Sequence, residues 1–242
     1  YTIKFKKGTI VPEHRYQQYC GAARALDVVG DRWTLLIVRE LLLGPRRFTD
    51  LLDGLPGISR NLLTQRLRDL DRDGIVARQQ LPPPAARQVY ELTGDGRDLA
   101  DAMLPLVAWG VRRLGSRKPG ESFRPHWAAL AMAAFADRDA ARGITETYEY
   151  HVGGLVFHLT VDDGSIQLHP GRAHDPAATL TTDEETWADI ASGKVTGSAA
   201  AAAGALELTG DPHAAARLRK IFSRSRVLIQ AEAAVKGVRQ RG

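Results

Sequence analysis

The chain is poor in the residues that would fix it covalently or tie it to a membrane. Its 242 residues include one cysteine, Cys20. No disulfide can form within it, which fits a reducing compartment. No apolar run approaches the roughly 18 residues of a membrane span, and no basic-then-apolar leader opens the sequence. The expectation is a cytoplasmic protein without a membrane partner. Seven histidines are scattered. His169 and His174 lie close together, but none sits in an HExxH or a Cys/His set, so no metal is expected. Thr93-Gly94-Asp95-Gly96 follows a strand pattern and opens a helix, like a dinucleotide loop. It lacks the third glycine and the parallel second strand. No nucleophile elbow or paired-carboxylate motif stands out. These absences argue against an enzyme, and no cofactor is expected.

What is present is an uneven charge. The net charge is +5, but residues 1–118 carry +7 and residues 119–242 carry −2. A basic half joined to a near-neutral half suggests one polyanion-binding module and a second module of another kind. Residues 1–18, with Lys4, Lys6, Lys7 and Arg15, read as a flexible basic arm.

The basic half is organised around Gly57 to Leu70. Ser59 stands where an N-cap belongs. Leu63, Leu67 and Leu70 share one stripe of the helix that follows. Asn61, Gln65, Arg68 and Arg72 share the opposite stripe, with Thr64 at its edge. Asn and Gln pair bidentately with adenine and Arg with guanine, so the spacing predicts a DNA recognition helix. Asn61, Gln65 and Arg68 would read bases. Ser59, Arg60, Thr64 and Arg87 would hold phosphates, and Arg46 and Arg47 extend the same DNA face.

Around it the pattern predicts helices over Cys20 to Val29 and Arg32 to Leu43, the second capped by Asp31, then a short helix with Phe48, Leu51 and Leu52. Two helices joined by a tight Gly-containing turn make a helix-turn-helix. Ile75 to Ala77 and Gln88 to Leu92 read as strands flanking Pro82-Pro83-Pro84, a wing whose Arg78 and Arg87 could reach the backbone. Thr93 then caps a long helix through Leu99, Met103, Leu106 and Trp109-Gly110, kinked at Pro105. Its apolar side suits a two-fold partner.

Cys20-Gly-Ala-Ala-Arg-Ala-Leu-Asp-Val-Val-Gly-Asp-Arg-Trp33, Ile58-Ser-Arg-Asn-Leu-Leu-Thr-Gln-Arg-Leu-Arg-Asp-Leu70, Tyr90-Glu-Leu-Thr93 and Trp109-Gly110 occur in an order that resembles the HxlR-type winged helix-turn-helix transcription regulators. The resemblance covers residues 20 to about 115. It implies a homodimer built from the first and last helices, on a roughly palindromic operator. It also implies a redox or electrophile sensor at the cysteine opening the first helix, a position Cys20 occupies. Gly21 stands where the family usually has proline. The alternative is that Cys20 is a small packing residue.

Ser116 to Ser122 reads as a linker. Beyond it, Phe123 to Ala141 predicts an amphipathic helix. Strands follow over Thr145 to Val152, Leu155 to Val161 and Ile166 to Leu168, with a hairpin turn at Asp162-Asp163-Gly164. A short strand from Ala178, a helix capped by Asp183, a small-residue helix over Gly197 to Gly204, a strand over Leu206 to Leu208 and a helix over Asp211 to Phe222 complete an α+β layout. The run from Asp175 to Asp183, Trp187 to Gly193, Gly204 to Pro212 and Leu218 to Phe222 resembles the sterol carrier protein (type-two) fold over about 124–225. That resemblance implies an apolar pocket between helices and sheet. Trp127, Phe157, Trp187, Leu206 and Phe222 are its candidate lining, although the rings could equally be plain core.

The expected fold is α+β: a winged helix-turn-helix over 19–116, mostly α with a β-hairpin wing, then a sterol-carrier-like domain over 123–225 with a mostly antiparallel sheet, and a tail over 226–242. The expected function is a dimeric, sequence-specific DNA-binding transcriptional regulator, a repressor rather than an activator, controlled by an effector bound in the C-terminal domain. Its partners would be a double-stranded operator, a second copy of itself and an apolar small-molecule effector. The alternative is a lipid or metabolite carrier, or a pocket enzyme, that uses the winged helix for assembly.

Overall fold

A computed structural model describes residues 16–81, 87–111, 113–114, 118–191 and 194–222. Most of the basic arm, the Pro82-Pro83-Pro84 loop and the expected tail over 226–242 lie outside the described residues.

Helix α1 (Gly21–Val29) leads into α2 (Thr34–Leu41). Here the structure departs from the pattern. Asp31 does not cap α2. Trp33 occupies the N-cap with φ 81°, and Asp31 instead pairs with Arg66 at 2.9 Å. The apolar spacing runs on into Leu43, but the helix ends at Leu41 and Gly44 reverses the chain at φ 97°. Helices α3 (Phe48–Gly54) and α4 (Arg60–Arg72) then form the helix-turn-helix corner, with Gly57 at φ 93° in the turn. Ile37, Leu41, Leu51, Leu55, Leu63 and Leu67 meet in one buried core. Burying side chains of this size contributes about 1.5–3 kcal/mol each.

Strands β1 (Val76–Gln80) and β2 (Gln88–Leu92) pair antiparallel as the wing. A bridge between Arg46 and Tyr90 thickens its base. Helix α5 (Gly94–Val111) starts where the Thr93 hydroxyl accepts from the Gly96 amide at 3.0 Å. It runs through Pro105 as one helix.

Helix α6 (Pro125–Ala134) is shorter than the pattern predicts and is not amphipathic. Pro125 suits its first position, and Ala128, Ala129, Leu130 and Ala133 are buried around its circumference. A helix apolar all round must be covered on both sides, and this one is. Its far side joins the second core. Its near side forms a third cluster, in which Met103 and Leu104 of α5 pack with Leu130 and Ala133. Leu43, past the end of α2, is buried in the core of the second domain.

That domain is a five-stranded sheet in the order β5-β4-β3-β6-β7. The strands are β3 (Thr145–Val152), β4 (Leu155–Asp162), β5 (Ser165–Pro170), β6 (Ala178–Thr182) and β7 (Leu206–Gly210). The β3–β6 pair is parallel and the others antiparallel. Asp163 and Gly164 both take positive φ, as a two-residue hairpin matching the sheet twist requires. Tyr148, Tyr150 and Val152 point inward from β3 by the two-residue period. Helices α7 (Glu184–Ala191), α8 (Gly197–Ala202) and α9 (Pro212–Ile221) join α6 over that face. Asp183, Thr196 and Asp211 cap them, each accepting a first-turn amide.

Candidate DNA-reading face and apolar cavity

Helix α4 is set by its cap and its leucines. The Ser59 hydroxyl accepts from the Leu62 amide at 3.2 Å, and Leu63, Leu67 and Leu70 are buried. This turns Arg60, Asn61, Gln65 and Arg68 outward, all exposed. Among the described residues the side chains of Arg60, Asn61 and Arg68 have no hydrogen-bond or ion-pair partner. Gln65 is engaged, its amide donating to the Asp69 carboxylate at 3.1 Å. Asp69 also holds Arg66 at 3.3 Å and Arg72 at 3.0 Å. Thr64 is half-buried, and its hydroxyl donates to the Arg60 carbonyl at 2.9 Å.

Beside the helix, Arg87 is exposed on the wing, and Arg78 lies over the Tyr90 ring. Arg46 is half-buried, with its backbone in the bridge to Tyr90. The Arg47 guanidinium is held by Asp50 at 2.5 Å, at the start of α3. The nine expected DNA-facing residues therefore cluster around α4 and the wing. Arg60, Asn61, Arg68 and Arg87 are the ones exposed and unengaged among the described residues.

Cys20 makes no buried contact within the single chain. It is exposed at the N-cap of α1. The backbone N–H groups of Ala23 and Ala22 hold its thiol below the ordinary range by favouring the thiolate.

The second domain holds a half-open cavity of about 390 Å³ between α6, α7, α8, α9 and the inner face of the sheet. Trp187, Leu206 and Phe222 are in its wall, with Met132, Phe135 and Tyr150. Two expected residues are not. Phe157 is fully buried one layer deeper, its ring stacked on Tyr150 at 4.9 Å. Trp127 faces the other domain and donates its indole N–H to Glu40 at 2.8 Å. Tyr150 was not among the expected lining residues; the two-residue period of β3 was the available signal, and it does not place the hydroxyl. It is fully buried and has no partner among the described residues. Arg219 on α9 also lines the cavity, and no described side chain bonds it. Among the described residues no group of three His, Cys, Asp or Glu side chains could hold a metal. No described helix is long and apolar enough to cross a membrane.

Glu40 is a buried, multiply bonded carboxylate that the sequence pattern did not single out. It lies three residues after Ile37 and just before Leu41, on the buried side of α2, and is 3% exposed. His126 sits 3.0 Å from one carboxylate oxygen. Trp127 and Arg39 donate to the other, at 2.8 and 2.7 Å. Burial alone would raise the Glu40 carboxyl. The hydrogen bond and charge of His126, with Arg39 and the Trp127 N–H, outweigh that and hold it below the usual range. A carboxylate on the core side of a helix was the available signal.

Fold and face together define a winged helix-turn-helix protein joined to an α+β cavity domain. The HxlR-like helix-turn-helix family model matches residues 28–118, and the SCP-2 sterol transfer family model matches 128–223. An HTH-type transcriptional regulator of Mycobacterium tuberculosis is 44% identical over 97 residues, which are 40% of this chain and 60% of that one. This chain thus spans about three-fifths of the length of its mycobacterial relatives. The HTH-type transcriptional regulator YodB of Bacillus subtilis is 36% identical over 85 residues, 35% of this chain and 76% of YodB. The solved reduced form of YodB superposes with a TM-score of 0.36 at 32% identity, covering 43% of this chain and all of that one. The chain belongs to the HxlR-like helix-turn-helix family.

Proposed function

We propose that the protein is a homodimeric, sequence-specific transcription regulator. In this reading α4 enters the major groove, Asn61, Gln65 and Arg68 read bases, and Ser59, Arg60, Thr64 and Arg87 fix the backbone register. The observation that carries it is the outward stripe of α4, where the side chains of Arg60, Asn61 and Arg68 stand exposed, and unengaged among the described residues, beside a basic wing. Leu26 on α1 and Leu106 and Trp109 on α5 are large exposed apolar side chains. They supply the face for a second copy, which two half-sites require.

The cavity is the effector site. Its wall suits an apolar body with one hydrogen-bonding or anionic group, because Tyr150 and Arg219 are its polar side chains without a partner among the described residues. A ligand there acts by favouring one arrangement of the two reading heads over the other. The protein then works as a repressor that the effector releases. Fluorescence anisotropy on duplexes from upstream of its own gene tests this. Specific binding that weakens steeply with salt is expected. Binding to none of these duplexes, together with tight uptake of a fluorescent fatty acid, would replace the reading with the carrier one, which the cavity and the SCP-2 match favour.

A further inference from the structure

Helix α6 belongs to both domains. Ala128, Ala131 and Met132 face the cavity, while Leu130 and Ala133 pack on Met103 and Leu104 of α5. Its small cavity-side residues let a ligand lie close to the helix backbone. Crowding there displaces the helix as a body rather than turning a flexible side chain.

The first turn of α6 is gripped from both sides. From the cavity wall, the Trp187 indole donates to the Pro125 carbonyl at 2.9 Å. Toward the winged helix, His126 and Trp127 hold the Glu40 carboxylate of α2. Arg124 donates to the Asp53 carbonyl of α3 at 2.6 Å. Arg39 closes the cluster by stacking on the Trp127 ring at 4.0 Å. Gly54 packs so tightly on Glu40 that a Cβ there would lie 2.5 Å from its carboxylate oxygen. Asp53 and Gly54 end α3 and lead through the Gly57 turn into α4. A buried charge cluster adds little net stability, yet it tolerates few geometries because every donor must stay in place.

We propose that α6 transmits the state of the cavity to the reading head, and that Glu40, held by His126 and Trp127, is where the change is delivered to the helix-turn-helix. The proposal rests on the reading that the cavity controls DNA affinity. Trp127 and Glu40 act as positioning residues, touching neither DNA nor ligand.

The test fills the cavity from α8 rather than from α6 itself. The variant is Ala201→Trp on α8, and Ser198→Trp from the same wall serves as a second filler. Loss of the fluorescence of bound 8-anilinonaphthalene-1-sulfonate shows that the cavity is filled. Affinity is read on a duplex selected by the wild-type chain from a random library. Filling is expected to change that affinity about ten-fold. In the Trp127→Phe and Glu40→Gln backgrounds the change should fall below about two-fold, with fluorophore binding kept before filling. Two backgrounds are used so that a folding defect in one leaves the other to decide. If filling still changes affinity about ten-fold in the background that folds, transmission through Glu40 is overturned while control by the cavity stands. If filling leaves wild-type affinity unchanged, control by the cavity itself is overturned.

Discussion

The indole N–H of Trp187 donates to the carbonyl of Pro125 at 2.9 Å, joining the wall of the cavity to the first turn of α6. Trp187 is 3% exposed and packs against both Tyr150 and Phe157. Trp187→Phe keeps a ring but removes one of the two donors to the Pro125 carbonyl, which as the first residue of α6 also accepts a helix bond. The expected loss is about 0.5–1.5 kcal/mol for the hydrogen bond, with a further contribution from the smaller ring. Urea unfolding followed by far-UV circular dichroism measures it. An unmoved midpoint would show that this bond does not hold α6 in place.

Gly96 has a role that its place in a Gly-rich loop hid. It sits in the first turn of α5, where a Cβ would land on the Ile75 carbonyl oxygen at the foot of the wing. Backbone cannot swing aside as a flexible side chain can. Gly96→Ala is therefore expected to destabilise by about 1–3 kcal/mol, although alanine normally favours a helix. Thermal unfolding decides between the two effects, and a stabilised variant would mean that α5 and the wing can separate freely.

His169 pairs with His158 across β4 and β5, the rings stacked 5.0 Å apart. Burial first, and the His158 charge second, hold His169 below its ordinary value of 6.5. The fold therefore favours the neutral ring. This contribution is complete above pH 6.5 and is lost as pH falls through that value toward the lower folded one. His169→Gln, which keeps a hydrogen-bonding group near Thr160, should flatten the decline of the melting temperature between about pH 7 and 5.5. The depressed carboxyl of Glu40 acts in a separate window. It favours the fold above its ordinary value of 4.5 and loses that effect as pH falls further. Equal declines for wild type and His169→Gln from pH 7 to 5.5 would exclude the ring pair as the source.

The parts legible in the sequence were those fixed by local chemistry. Ser59 and Thr93 cap the helices expected of them, Leu63, Leu67 and Leu70 form the buried stripe, and Asp163-Gly164 turns the hairpin. The misread parts were set by contacts distant in sequence. Asp31 has the right residue type and place for a cap, but Arg66, on another helix, takes its carboxylate. Trp127 and Phe157 have the size of pocket residues. Which of several rings faces the void depends on how α6 and the sheet meet, and no local pattern encodes that. The length of α6 was overestimated for the same reason, since its apolar residues serve two cores rather than one long stripe.

Cys20 is exposed at the N-cap of α1, and the backbone amides of Ala23 and Ala22 favour its thiolate. Its alkylation by iodoacetamide should reach half-maximal rate below the pH of about 8.5 expected for a free thiol. Mass spectrometry after timed quenching follows the reaction without interference, because the chain has no other cysteine. A half-point at or above 8.5 would remove the chemical basis for a sensing role at this position.

On α4 the side chains differ in what they must give up to meet DNA. Arg68 is exposed and unengaged among the described residues, whereas Gln65 must leave Asp69, and Thr64 must leave the Arg60 carbonyl. Arg68→Ala is accordingly expected to weaken operator binding by about 1–3 kcal/mol and to relax the base preference at one position. Gln65→Ala should lose less, because part of the contact it makes on DNA replaces one already made within the helix. Asp69→Asn should strengthen binding to unrelated duplexes, by removing a negative charge close to the phosphates and loosening Arg66 and Arg72. Anisotropy titrations on the selected duplex and on its single-base variants separate these effects. Wild-type affinity and preference in Arg68→Ala would mean that α4 presents a different face to the groove.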